Sequence, residues 1–207
     1  MDFKGIVNKG ISLTKPLVVG MDKAKVIDFV APLALRLYLV PIFWMAGSKK
    51  FLNFTNTAEW FGNAEVGLGL PAPYLLVFLV AFIEVLGAIF LLIGFGVRFI
   101  SIPLMVTMAF AGFLVHWKNG WLAIASSSGI FATDRTIAAT ERLEQAKTLL
   151  QQNGNYEWLT EMGSYVVLNN GIEFAATYFV MLLALFFTGG GRFVSLDYWL
   201  KGKLLSS

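Results

Sequence analysis

The chain has no cysteine, a single histidine and few charges: only 14% of its 207 residues are Asp, Glu, Lys or Arg. The absence of cysteine excludes disulfide staples, thiol chemistry, thiolate metal sites and cysteine-ligated iron–sulfur clusters within the chain. One histidine excludes a multi-histidine zinc site or a bis-histidine haem in one copy, and no metal site is expected. A soluble domain carries about 25% charged residues. This chain is 57% hydrophobic, so its composition is that of a membrane protein. The net charge of +3 does not point to nucleic acid, because the Lys and Arg residues sit at the ends of apolar runs instead of forming a patch.

Four apolar runs are long enough to read as membrane spans, at about 29–47, 74–93, 99–117 and 172–188. About 20 apolar residues cross a hydrocarbon core of ~30 Å. The expected fold class is an all-α membrane protein, a four-helix bundle occupying residues 29–189. The first run is not a cleaved signal peptide: Arg36 interrupts it, and Trp44 stands where cleavage requires a small residue. Residues 1–28 form a mixed N-terminal arm, either cytoplasmic or lying on the membrane surface, and 190–207 form a tail. Lys4, Lys9, Lys15, Lys23, Lys25, Arg98, Arg192, Lys201 and Lys203 share one side of this topology. Lys49, Lys50, Lys118, Arg135, Arg142 and Lys147 lie on the other, in longer loops. The bias puts both termini in the cytoplasm of a multi-pass protein of a bacterial inner membrane.

Trp44, Trp60, Trp117, Trp121 and Trp158 fall on the outer side, so the outer loops are expected at the membrane–water boundary. The insertion at about 118–171 is too long to be a plain connection. Thr133-Asp134 can cap a helix reaching about Gln152, with Ala139, Leu143, Ala146 and Leu150 as one apolar stripe and Gly154 as its stop.

Ionisable groups are rare inside membranes and are usually paired or functional. Arg36 in the first run and Glu84 in the second reach similar depth if these helices are antiparallel. The expectation is an Arg–carboxylate pair, either a structural clamp or a proton relay. His116 closes the third run and Glu173 opens the fourth, so an acid–base pair is expected near the outer face. These two are the candidate catalytic residues, with Glu173 orienting the imidazole. Lys49, Lys50, Trp117 and Arg192 are candidate ligand-binding residues at the span ends, although snorkelling alone accounts for the two lysines. Met105 and Met108 share a helix face, which is ordinary for a membrane core.

Several elements in order resemble the DoxX family: an Arg in the first helix, then Gly47-Ser48-Lys49-Lys50-Phe51; Gly69-Leu70-Pro71-Ala72-Pro73 leading to Glu84 and Gly87; Gly94 and Arg98 in a short turn; His116; and the ending Gly189-Gly190-Gly191-Arg192-Phe193-Val194-Ser195-Leu196-Asp197. Asn153-Gly154-Asn155-Tyr156-Glu157-Trp158-Leu159 and Leu168-Asn169-Asn170-Gly171-Ile172-Glu173-Phe174 are similar to the HvfX-like subgroup. The resemblance implies a four-helix inner-membrane protein, with precedent in a thiosulfate:quinone oxidoreductase subunit and in redox homeostasis through partners. The subgroup is associated with operons for copper-binding peptides.

Three readings follow. The first is a membrane subunit of a quinone-linked redox system, with His116 and Glu173 at the quinone. The second is a non-catalytic scaffold whose outer loops dock a periplasmic protein or peptide. The third is a transporter, which would require a homo-oligomer because four helices make a thin bundle.

Overall fold

The computed structural model describes residues 25–205, so most of the expected N-terminal arm lies outside the described residues. A short 3₁₀ turn, Lys25–Ile27, leads into α1 (Val30–Leu52), followed by α2 (Phe54–Gly62), α3 (Pro73–Ile93) and α4 (Val97–Phe110). Helix α4 continues through a π-helical segment, Ala111–His116, and one 3₁₀ turn, Trp117–Asn119. Then come α5 (Asp134–Asn153), α6 (Tyr156–Thr160), α7 (Glu173–Thr188) and α8 (Leu196–Leu205).

Three of these segments are long and apolar enough to cross a membrane: Lys25–Leu52, Pro73–Ile93 and Val97–Asn119. Helix α7 is apolar but has 16 residues. At 1.5 Å per residue it is roughly 24 Å long, short of a ~30 Å hydrocarbon core. The first span also differs from expectation. It does not stop at Gly47 but runs five residues further, to Leu52. Gly47 marks a close approach: a Cβ there would stand 2.7 Å from Val85 Cγ2 and 2.9 Å from the Ala81 carbonyl of α3. Small residues at such positions let membrane helices pack backbone to backbone.

Helix α1 packs mainly on α3, and α4 packs mainly on α7. Pro32, Arg36, Leu39, Phe43 and Gly47 form one buried stripe on α1. Val77, Ala81, Glu84, Ala88 and Leu91 form the matching stripe on α3. Their spacings of three and four residues are those of a helix face. Leu39, Phe43, Ala88, Leu91, Val97, Leu104, Leu182 and Leu185 meet in the core. Outward faces remain apolar, as at Phe78, Phe82, Phe99, Val180 and Phe187, which suits helices surrounded by lipid.

Two ends can be named by their residues. At the Arg98 end, the turn Gly94–Gly96 joins α3 to α4, and the Asp197 carboxylate accepts the backbone N–H groups of Gly96 (2.7 Å) and Val97 (2.9 Å). At the His116 end, residues 119–125 and 167–173 cross and bond as a pair, including an antiparallel bridge between Ile124 and Leu168. Helix α5 starts at Thr133, whose hydroxyl accepts the Thr136 N–H in a capping box. Only Thr136 on this helix is buried; in the stripe, Ala139, Leu143 and Leu150 are half-buried and Ala146 is exposed.

Candidate functional site

Arg36 and Glu84 are both buried, at 1% and 2% exposure, but they do not pair. Arg36 Nε donates to the Leu91 carbonyl (2.6 Å) and Nη2 to that of Leu92 (2.9 Å). Nη1 donates to the carbonyls of Gly190 (2.6 Å) and Val194 (3.1 Å). The guanidinium therefore binds the C-terminal end of α3, where the helix dipole places partial negative charge, together with the glycine segment after α7. Gly94 completes this knot. Its φ is +70°, and a Cβ there would lie 2.7 Å from Arg36 Nη2 and 2.6 Å from Ser195 Cβ. Helix α1 extends to Leu52, which moves Arg36 toward one end of the helix and away from the depth of Glu84. Its neighbour Leu91 is seven residues from Glu84, roughly 10 Å along α3.

The partner of Glu84 is Lys50, whose Nζ lies 2.7 Å from Oε2 and 2.9 Å from Oε1. Helical side chains lean toward the N-terminus, so Lys50 reaches back into the bundle from the helix end. The sequence carried a signal for this pair. Lys50 lies three residues after Gly47, hence on the same face, and a Cβ on Gly47 would stand 3.0 Å from Glu84 Cβ. Reading Lys50 as a snorkelling residue overlooked that face.

His116 and Glu173 share one end of the bundle, but no hydrogen bond or ion pair joins them, which corrects the expected acid–base pair. His116 Nδ1 lies 2.9 Å from the Asn170 carbonyl. A carbonyl only accepts, so Nδ1 carries a proton and donates it to this bond. Nε2 has no hydrogen-bond partner among the described residues. Glu173 Oε2 instead accepts the Ala123 N–H at 2.8 Å. Each polar group thus holds one strand of the crossed loop base. The residue that ties this base together was missed: Asn169, 3% exposed, donates to the carbonyls of Asn119 (2.8 Å) and Leu122 (2.6 Å) and accepts from Arg135 Nε (3.0 Å). Asn169 stands in the Leu168-Asn169-Asn170-Gly171 motif, but side-chain identity there does not reveal which backbone carbonyls it serves.

Between α3 and the long α4 segment, under α2, lies a cavity of about 660 Å³. Leu76, Leu79, Ile83, Val106, Phe110 and Leu114 are among its apolar walls. Among the described residues, its only ionisable lining groups are Lys50, Glu84 and His116. The π-helical segment forms one wall and ends at His116; such wide turns recur at functional sites. Lys50 and Trp60 also line a neighbouring polar cleft of about 610 Å³ with Lys49, Asn53, Asn56 and Thr57. Lys50 therefore stands between a polar entrance and an apolar chamber. Among the described residues, every buried side-chain nitrogen and oxygen has a hydrogen-bond partner.

Of the other candidates, Trp117 is exposed, with its ring 5.4 Å from that of Phe113. Arg192 is at the opposite end, 3.3 Å from Asp28.

No curated protein and no solved structure matches the chain. The DoxX family model matches residues 31–117. That stretch holds α1 from its second residue, α2, α3 and α4 with Arg36, Lys50, Glu84 and His116, and therefore the cavity wall, while the outer insertion and Glu173 lie beyond it. Over this stretch, which is less than half of the chain, the protein is similar to the DoxX family, in keeping with a multi-pass membrane protein.

Proposed function

We propose that the protein is a membrane subunit of a quinone-linked redox system of a bacterial inner membrane, and that the cavity between α3 and α4 receives the quinone. The observation that carries this reading is an apolar chamber of about 660 Å³ whose only ionisable lining groups, among the described residues, are the Lys50–Glu84 pair and His116. Small-molecule sites are typically clefts of about 300–1,000 Å³, mostly apolar, with a few placed polar groups. A quinone ring is flat and apolar and carries two opposed carbonyl oxygens. In this reading the partner's two electrons reduce the quinone to quinol, protonated His116 gives its Nε2 proton to one carbonyl oxygen and is reprotonated from water at the bundle end, and the Lys50 ammonium supplies the second proton. Lys50 exchanges protons with the polar cleft, and Glu84 holds its ammonium in place. Arg36 and Glu173 are positioning residues for the bundle and loop base. Electrons come from a redox partner, because the chain has no cysteine and one histidine. Helix α7 serves as a fourth span, both termini face the cytoplasm, and the HvfX-like subgroup is the closest fit to the loop motifs.

The test is equilibrium binding of a short-tailed quinone to the purified protein. We expect saturable binding, weakened about tenfold by His116→Ala, the loss of one charge-assisted hydrogen bond. Val106→Trp, which fills the chamber, should abolish it. Non-saturable binding, indifferent to both substitutions, would refute the site.

A second reading draws support from α5. Its apolar stripe is only partly covered by the described residues, with Ala146 exposed, which suits an outer surface that docks a periplasmic protein. Deleting residues 134–153 should then abolish association with the electron-donating partner while quinone binding persists. Unchanged association would dismiss it.

A further inference from the structure

At the end opposite the quinone chamber lies a second, polar cleft of about 600 Å³. Three cations line it from three parts of the chain: Arg98 at the start of α4, Arg192 in the glycine segment and Lys201 on α8. All three are exposed. Gly189, Gly190 and Gly191 form part of its wall without side chains, which leaves backbone and open space between the cations.

Two carboxylates are also present, and both are engaged. Asp197 is held by the N–H groups of Gly96 and Val97, so this helix N-terminus is already occupied. Asp28 faces Arg192 at 3.3 Å. Arg98 Nη2 gives one hydrogen bond to the Phe187 carbonyl (3.0 Å), and its remaining N–H groups are unassigned. Lys201 makes no hydrogen bond or ion pair among the described residues. The cleft therefore offers spare donors of one sign.

Its surroundings identify the ligand's form. Phe99 also lines the cleft and is 81% exposed, and Phe187 at 68% lies beside Arg98; both belong to the apolar faces read above as lipid-covered. Trp199, with its indole N–H donating to the Phe193 carbonyl, stands on the same helix as Lys201, as expected of a side chain at the membrane boundary. A polar, cationic cleft thus opens directly beside a lipid-facing apolar wall. Arg is suited to phosphate oxygens through its fork of donors, and Lys as a point charge.

We propose that this cleft is a phosphate site, filled by the headgroup of an anionic phospholipid, with Arg98 and Lys201 on the phosphate and Phe99 along the acyl chain. The proposal is independent of the quinone reading, because it concerns the other end of the bundle.

The test is native mass spectrometry of the purified full-length protein with phosphatidylglycerol or phosphatidylcholine, each titrated in detergent. Phosphatidylglycerol should be retained preferentially. Lys201→Gln should weaken it roughly fivefold, the effect of about one juxtamembrane cation. Arg98→Lys, which keeps the charge and loses the fork, should weaken it less than Arg98→Gln. Thermal melting in detergent checks that the variants fold. Competition by millimolar inorganic phosphate separates the sources: no displacement supports the lipid, and full displacement assigns the cleft to a soluble phosphate and overturns the lipid assignment. Equal retention of both lipids, unchanged by Lys201→Gln and Arg98→Gln, would overturn the site itself.

Discussion

Replacing Lys50 by Met should strand the Glu84 carboxylate. Two charge-assisted hydrogen bonds, 2.7 and 2.9 Å long, would be lost from a side chain that is 2% exposed. Such bonds contribute about 1.5–3 kcal/mol each, and part of that is offset by desolvation of the ions. Removing one partner of a buried pair costs about 3–5 kcal/mol, because the remaining charge is left uncompensated. Lys50 is itself 25% exposed, which puts the expectation at the lower limit, near 3 kcal/mol. The decisive arm is the double variant Lys50→Met/Glu84→Gln. It removes both charges and should recover most of the loss, so the second substitution would stabilise the first variant while destabilising the wild type. Unfolding in mixed micelles of rising denaturing-detergent fraction reads all four proteins of this cycle. If Lys50→Met costs less than 1 kcal/mol and Glu84→Gln brings no recovery, the pair behaves as an exposed surface bridge and the reasoning fails.

Arg36→Lys should destabilise by about 2–3 kcal/mol, since an ammonium has no planar fork with which to serve four carbonyls; the same unfolding assay checks it. Asn169→Ala should cost about 1–3 kcal/mol by leaving the Asn119 and Leu122 carbonyls unserved. Limited proteolysis should then cut within residues 120–172 well before the helices are lost, and an unchanged digestion pattern would count against the clamp.

Much of the fold could be read directly from residue patterns. Long apolar runs mark helices because a bilayer offers no other partner for backbone groups. Thr133 and Gly154 bracket α5 because capping chemistry is local. The pairings were less accessible, since they depend on register. Gly47 looks like a helix stop in sequence, yet it is a packing position, and that one misreading displaced Arg36 to mid-membrane and hid Lys50. The Arg36 site is built from carbonyls of residues 91, 92, 190 and 194, and backbone acceptors leave no trace in side-chain identity. The chamber is likewise a property of how α3 and α4 splay apart, which periodicity does not encode. His116 was visible as the lone histidine at a span end, but its tautomer follows only from the Asn170 carbonyl.

The most direct measurement is photolabelling of the purified protein with an azido-quinone, followed by peptide mapping. The account requires saturable labelling confined to the chamber walls, at Trp60–Phe61, Leu79–Glu84 and Ile102–His116, and suppressed by excess unlabelled quinone. Labels spread over the outward faces of α1 and α7, at Trp44, Val180 or Phe187, and not suppressed by competitor, would contradict it.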